Sequence, residues 1–326
     1  MTEKIKKNKK LALSIILGLF ITGIILAITL SGYVYTQLKK ITPVHIFKTQ
    51  KDLGISPLLQ SQIDSLSEPP LNIALFGLDK REGKDYVNAD VIMLLSINKD
   101  TKKIKIASVM RDTYVKIEGK GMDKINAAFN IGGAQLAIKT INQNFNLDIK
   151  EFVSVDIKGM SKVIDALGGI TLDVKKEEMG WVNGYLDEAY NDSIPFLTKW
   201  GVQNLNGKQA VAYTRIRYTS GNDAERTERQ RKVLTLLLKK LKEAGPMQYP
   251  ILVSQLLPYV ETSFGRKTLL KVGAEVFISN IRTIEQKRFP LDSESKGQFI
   301  DSIWYLVPNL KATQKSIRTF IFDGKL

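Results

Sequence analysis

The stretch 71–110, LNIALFGLDKREGKDYVNADVIMLLSINKDTKKIKIASVM, decides the fold. Within it Leu71 to Phe76 (LNIALF) is a continuous apolar run that stops at Gly77. Asp90 to Ile97 (DVIMLLSI) is a second run, and Lys103 to Met110 (KIKIASVM) opens with strict alternation. Short runs rich in Ile, Leu and Val and bounded by Gly, Asp and Lys read as three neighbouring strands. Downstream, the pattern gives a helical stretch from Asp123 to Asn144, a strand from Phe152 to Ile157 and a helix from Lys158 to Leu167. A strand from Ile170 to Val174 follows the Gly168-Gly169 turn, and the longest helix runs from Ala224 to Ala244, ended by Gly245-Pro246. Interleaved strands and helices predict an α/β fold, a single mixed sheet flanked by helices on both faces as an α/β/α sandwich. The tail after Met247 reads as further helices of the same domain.

Upstream of this domain the sequence changes character twice. Lys4, Lys6, Lys7, Lys9 and Lys10 precede Leu11 to Leu30, twenty residues without a charge. A helix of that length rises about 30 Å, the thickness of a bilayer core, which predicts one transmembrane helix over 11–35. A cleavable signal peptide is the competing reading, but the apolar run is too long and no small-x-small site follows in Ser31 to Lys40. Lysines before the span place 1–10 in the cytoplasm and everything after it outside the cell. Residues 36–70, with Pro43, Pro57, Pro69 and Pro70, read as an extracellular stalk, and 71–326 as one extracellular domain.

Composition narrows the chemistry. Of 326 residues none is cysteine and one, His45, is histidine, which removes thiol catalysis, Cys-ligated metals and multi-His sites. The net charge is +15, from 48 Lys+Arg and 33 Asp+Glu; residues 1–40, with seven Lys and one Glu, hold +6 of it, so 41–326 keeps +9. A basic extracellular domain suits an anionic partner. Arginine is scarce, 11 against 37 lysines, yet Arg215, Arg217, Arg226, Arg229 and Arg231 fall within 17 residues. The planar guanidinium grips phosphate bidentately and keeps its charge when desolvated. On the predicted long helix, stepping back from the stripe Val233, Leu237, Leu241 reaches Gln230 and Arg226 on the buried side; Arg229 borders it and Arg231 points elsewhere. Asp223 stands at the helix start. Asp79 follows the first strand and Asp90 opens the second, so both approach one sheet end, where Arg111 closes the third strand. Carboxylates beside arginines suggest a Mg²⁺ and phosphate site.

The order of these segments carries a resemblance. Gly77-Leu78-Asp79-Lys80-Arg81, Asp90-Val91-Ile92-Met93-Leu94, Ser108-Val109-Met110-Arg111-Asp112, Lys124-Ile125-Asn126-Ala127-Ala128-Phe129 with Gly132-Gly133, and Tyr213-Thr214-Arg215-Ile216-Arg217-Tyr218 ending in Asp223-Ala224-Glu225-Arg226-Thr227-Glu228-Arg229-Gln230 resemble the LytR-CpsA-Psr family over a motif core at 71–242. The resemblance implies a membrane-anchored, extracellular, Mg²⁺-dependent phosphotransferase. Such enzymes move a glycan phosphate, from teichoic acid, capsular or related polysaccharide, from a polyprenyl-pyrophosphate carrier to a peptidoglycan acceptor. It implies metal contacts at Asp79 and Asp90 and pyrophosphate contacts at Arg111, Arg215, Arg217 and Arg226. Gln230 and Arg229 belong to the same signature, and Lys124 is a further basic candidate. The catalytic set it implies is Arg111, Arg215, Arg217, Asp79 and Asp223. Family members often show Gly-Asp-Phe-Gly-Arg where this chain has Gly221-Asn222-Asp223-Ala224-Glu225-Arg226, so the spacing from Asp to Arg is kept and the residues between are not. The base that takes the acceptor proton is Asp79 or Asp223. A non-catalytic module binding wall polymers, or a nucleic-acid-binding regulator, also fits a basic domain; the extracellular topology, expected of a Gram-positive bacterium, excludes nucleic acid.

Overall fold

A computed structural model of the chain describes residues 15–25, 28–29, 32–33, 35–36, 43–80, 87–190, 195–217, 222–278, 281 and 283–325. The chain divides into two units, Met1–Thr42 and Pro43–Leu326. In the first, residues 15–25 are helical with exposed side chains. Among the described residues no helix is long and apolar enough to cross a membrane. The expected tail at 1–10 and parts of the expected span lie outside the described residues.

The second unit is built on a six-stranded mixed sheet ordered β10-β3-β2-β1-β6-β9. Its strands are β1 (Leu71–Asp79), β2 (Asn88–Asn98), β3 (Lys103–Val109), β6 (Glu151–Asp156), β9 (Glu261–Thr262) and β10 (Thr283–Phe289). β1, β2 and β3 form an antiparallel meander, while β6 runs parallel to β1 and β10 parallel to β3. Alternate residues of β1 serve different cores: Ala74, Phe76 and Leu78 enter one, Ile73 the other. That is why the run LNIALF carries no polar alternation, since a strand covered on both faces has no solvent side.

One face is covered by α1 (Pro57–Asp64), α2 (Ala127–Phe145) and α9 (Leu310–Phe322), through Leu59, Ile63, Ile138, Ile141, Phe145, Ile317 and Ile321. Against the other lie α6 (Asn222–Glu243), α7 (Gly245–Leu256) and α8 (Arg266–Ile278); Leu234, Leu238, Leu269 and Val272 pack there. A third cluster joins α3 (Ile157–Ala166), α4 (Lys176–Tyr190), α5 (Gly207–Arg215) and the hairpin of β7 (Ile170–Val174) and β8 (Gly201–Leu205) to the flank of α6 through Val233 and Leu237. Helix α6 therefore buries two faces, which fixes its rotation. Two further hairpins, β4 (Tyr114–Ile117) with β5 (Gly121–Lys124) and β11 (Ser295–Ile300) with β12 (Ile303–Pro308), stand beside the sheet.

Three expectations are corrected. The segment read as a stalk belongs to the folded unit from Pro43 onward: Ile46, Leu53, Ile55, Leu59 and Ile63 are core residues, and Val44 N–H donates to Thr262 O at 2.9 Å. Pro57 starts α1 instead of breaking the chain, because proline fits the first helical turn, where no backbone N–H is needed. The tail after Met247 is not all helical; it supplies both edge strands and the β11–β12 ribbon. The helix expected from Asp123 starts at Ala127, after β5, and carries non-helical torsions at Gly132 and Gly133.

Buried beneath β1, Asp148 accepts from Asn72 Nδ2 at 2.7 Å. Burial nonetheless pushes its carboxyl above the usual range, outweighing that bond and the nearby Lys150. A carboxyl raised on folding costs stability as pH climbs through its unfolded and then its folded pKa. Asp148→Asn should therefore raise Tm by about 2–4 °C at pH 7, with the gain shrinking towards pH 4; calorimetric melting across that range checks it.

Candidate functional site

The C-terminal end of β1, the start of β2 and the end of β3 meet at one sheet edge. The β1–β2 register steps from Gly77↔Val91 to Leu78↔Ala89, leaving Asp90 as the unmatched residue of a β-bulge. A bulge re-aims its side chain, and here Asp90 joins Asp79 on the wall of a cavity between the sheet and α6–α8. Gly77 permits this close approach: a Cβ there would lie 2.8 Å from Val91 Cβ.

The arginines arrive from two directions. Arg111 follows β3 and donates from Nη1 to Asp90 Oδ2 at 2.8 Å, with Asp112 Oδ2 3.4 Å from its Nε and Asp223 Oδ1 4.0 Å from its Nη2. From the other side, α5 is fixed at its start by the Asn206–Gln209 capping box and ends at Arg215, whose guanidinium lies 4.9 Å from the Tyr185 ring centroid. Two residues on, Arg217 Nη2 is 4.0 Å from Asp90 Oδ2. On the first turns of α6, Asp223, Arg226 and Gln230 share a face; Arg226 Nη2 meets Asp223 Oδ1 at 2.5 Å, and Arg226 and Gln230 line the cavity.

Charge balance at this edge is incomplete. Burial would lower the Arg111 guanidinium, but Asp90, Asp112 and Asp223 outweigh it and hold it above its ordinary value. Arg226 is pulled below its ordinary value by burial and by repulsion from Arg111 and Arg217, which Asp223 and Asp90 do not offset. Its Nε is buried without a hydrogen-bond partner among the described residues. A buried guanidinium N–H of this kind, among like charges on a cavity wall, fits an anion-binding role. From this polar end the cavity, about 1450 Å³, runs between apolar walls that include Leu75, Met93, Leu95, Leu234, Leu238 and Leu269. A head of phosphate character and a long apolar tail fit such a shape.

For a metal, Asp79 and Asp90 offer two hard carboxylates beside the anion position. Among the described residues no group of three or more His, Asp or Glu side chains is placed to hold a metal ion by itself. Two carboxylates suit Mg²⁺ when phosphate oxygens and water complete its shell, so the donor set fits that ion together with a phosphate.

Four of the expected site residues, Arg111, Asp223, Lys124 and Arg229, stand behind the cavity wall, and the last two are engaged elsewhere. Lys124 does not line the cavity; its Nζ pairs with Asp112 Oδ1 at 2.7 Å, which braces Arg111 from behind. Arg229 does not line it either. Its Nε donates to Glu178 Oε1 at 2.9 Å and its Nη2 to Glu225 Oε2 at 3.0 Å, and Nη1 reaches Ile216 O at 3.4 Å. Glu178 and Arg229 are 3% and 5% exposed. Arg229 thus grips the backbone between Arg215 and Arg217 and holds both in place. Sequence reasoning missed Glu178, since a glutamate in the first turn of a helix gives no sign of burial; it also missed Asp112, although the adjacent Arg111 was in view.

The sequence profile of the LytR_cpsA_psr family matches residues 33–319. The polyisoprenyl-teichoic acid--peptidoglycan teichoic acid transferase TagU of Oceanobacillus iheyensis is 30% identical over 261 residues, covering 77% of this chain and 76% of its own. The TagU of Bacillus licheniformis is 33% identical over 242 residues, 73% of this chain and 72% of its own. A solved structure of the family protein YwtF (TagT) with bound octaprenyl pyrophosphate lipid superposes with a TM-score of 0.59 over 78% of this chain and 91% of that one, at 20% identity; that likeness shows the fold.

The Arg229 grip predicts a separation of stability from binding. Glu178→Gln removes one of the two carboxylates that pair with the buried Arg229 guanidinium and should cost about 1–3 kcal/mol in chemical denaturation. Combining Glu178→Leu with Arg229→Met should recover most of that stability, because an apolar pair carries no desolvation cost. Pyrophosphate affinity, measured by titration calorimetry, should stay weakened in the double variant, since nothing then holds Ile216 O. Full recovery of affinity would count against the grip.

Proposed function

The chain belongs to the LytR_cpsA_psr family, and from that premise we propose that it is a membrane-anchored extracellular transferase. In this reading it takes a teichoic acid or related glycan phosphate from a polyprenyl-pyrophosphate carrier and joins it to peptidoglycan. One observation carries the reading: the under-compensated arginine cluster with the orphaned Arg226 Nε opens directly into the large apolar cavity, so a single amphiphile satisfies both. The names of the two TagU relatives and of the lipid-bound TagT structure support the identity of that amphiphile.

The chemistry follows from charge. Phosphoryl transfer asks little covalent work of the protein and much neutralisation of developing charge. Arg111, Arg215, Arg217 and Arg226 bind the pyrophosphate and stabilise the departing polyprenyl phosphate. Bidentate guanidinium contacts also set the orientation of the phosphorus under attack. Mg²⁺, held by Asp79 and Asp90, would supply further charge neutralisation on the phosphate oxygens. The acceptor hydroxyl must lose its proton, and Asp79 and Asp223 are the carboxylates at hand. Apolar walls around the tail exclude water, so transfer to a sugar hydroxyl competes well with hydrolysis.

The same proposal covers location. The lysine-flanked apolar run Leu11 to Leu30 serves as a single-pass signal anchor at 11–35, with 1–10 cytoplasmic and the catalytic unit on the outer face of the cell membrane, as in a Gram-positive envelope.

Incubating the full chain with a polyprenyl-pyrophosphate-linked glycan, peptidoglycan and Mg²⁺ should release polyprenyl phosphate. Arg217→Ala should cut the rate by about 10²–10³, the usual loss for one transition-state donor, and chelation of Mg²⁺ should suppress transfer reversibly. No release from the wild type would overturn the transferase reading. A periplasm-type reporter fused after Leu326 should be active and a cytoplasmic one silent; the opposite result would overturn the anchor.

A further inference from the structure

The β11–β12 ribbon contributes no residue to the cavity wall, yet it carries the most solvent-exposed aromatic pair among the described strands. Its strands close over Asp301 and Ser302, whose φ values of 49° and 65° make a two-residue turn between Ile300 and Ile303. Such a turn matches strand twist and holds the ribbon stiff. Register pairs Phe299 with Trp304 on one face, and Gly297, two residues away, lies on that same face. The Trp304 indole rests across Gly297: a Cβ there would stand 3.0 Å from Nε1, 3.1 Å from Cζ2 and 3.3 Å from Cε2. One side of the ring is therefore seated on the ribbon backbone. Trp304 remains 39% exposed and Phe299 71%.

The other face of the ribbon is fastened to the phosphate site. Tyr305 is buried against Tyr114, with centroids 4.6 Å apart, and Lys124 Nζ stands 5.6 Å over the Tyr305 ring. Lys124 pairs with Asp112, and Leu306 N–H donates to Asp112 O at 2.9 Å. Asp112 is the residue next to Arg111. The aromatic face is thus held rigidly beside the segment that delivers Arg111 to Asp90.

We propose that Phe299, Trp304 and Gly297 form a platform for the sugar chain of the acceptor. This rests on the transferase reading above and assigns the second substrate a place in it. A pyranose ring presents a flat C–H face and a rim of hydroxyls. A seated indole matches the first, and the exposed turn residues Asp301 and Ser302, next to the rings, match the second. A bilayer is a poorer occupant, because inserting the tip would bury the Asp301 carboxylate in apolar surroundings. A protein partner needs about 800 Å² per side, far more than two rings and a glycine provide.

The test compares the full-length wild type with Trp304→Ala and Gly297→Ala. The Gly297 variant keeps every ring but places a methyl where the indole rests. Titration calorimetry uses a soluble β-1,4-linked N-acetylglucosamine oligosaccharide as probe, and the transfer assay varies acceptor and donor separately. Trp304→Ala should weaken oligosaccharide affinity and raise the acceptor KM about tenfold, with the donor KM unchanged. Gly297→Ala should weaken both several-fold without lowering Tm. Wild-type affinity for the oligosaccharide in both variants overturns the platform, as does a parallel loss in donor and acceptor KM. If the wild type transfers nothing but binds the oligosaccharide in a Trp304-dependent way, the platform stands and the transferase reading falls.

Discussion

Four guanidinium groups, those of Arg111, Arg215, Arg217 and Arg226, are gathered at one end of the sheet against three carboxylates, Asp79, Asp90 and Asp223. Two unit charges about 4 Å apart interact by about 4 kcal/mol under the screening typical of a protein surface, so such a cluster is held together only by the structure around it. The excess of positive charge falls on Arg226, the most buried member, whose guanidinium is pulled down by burial and by its arginine neighbours. The devices that hold the cluster are visible. The bulge at Asp90 aims a carboxylate between Arg111 and Arg217, and Asp112 with Lys124 braces Arg111 from behind. The buried Glu178–Arg229 pair fixes the backbone that carries Arg215 and Arg217.

That last pair is costly by itself. Burying two charges gains little net stability even in good geometry, and Glu178 also pushes the neighbouring Tyr213 phenol, already raised by burial, to about 12. The pair makes sense as a specificity device. It ties three helices to one another: α4 through Glu178, α6 through Arg229 and Glu225, and the end of α5 through Ile216. Because α6 also buries Val233 and Leu237 on one flank and Leu234 and Leu238 on the other, it cannot rotate to carry Arg226 away from Arg111 and Arg217. Positive charge is thus stored at a fixed place, to be discharged by an anionic ligand.

The layers of the fold and the site were unequally legible in the sequence. The runs at 71–76 and 90–97 are continuously apolar and that at 103–110 opens with alternation, so three neighbouring strands in a layered α/β fold could be read directly, while their antiparallel register could not. The arginine cluster stood out because the chain elsewhere uses lysine. What failed was local punctuation. Prolines at 43 and 57 suggested a stalk, but the apolar spacing of Leu53, Ile55, Leu59 and Ile63 belongs to a packed segment that meets α2 only in three dimensions. The strands β9 and β10 lie beside partners more than a hundred residues away in sequence, and no local signal announces such pairing. The inward turn of Arg229 was illegible for a similar reason: its neighbours in sequence are the residues of the arginine cluster, while the partner that holds it, Glu178, lies 51 positions upstream.

The split use of the two cations follows from solvation. The eleven arginines are few, and five sit within 17 residues, while the 37 lysines are spread along the chain, five of them within residues 1–10. An ammonium group is strongly hydrated and shifts its pKa readily when buried, so a lysine placed at Arg226 would tend to lose its proton among like charges. A guanidinium keeps its charge there, and its donors can hold a carboxylate in the empty state and a phosphate in the loaded one. The same logic explains why the polar end must adjoin the apolar cavity. With a hydrocarbon tail filling the space against Leu75, Met93 and Leu95, water is displaced from the arginines as the anion arrives. The repulsion that folding had to tolerate becomes attraction in a low-dielectric setting, where it is strongest.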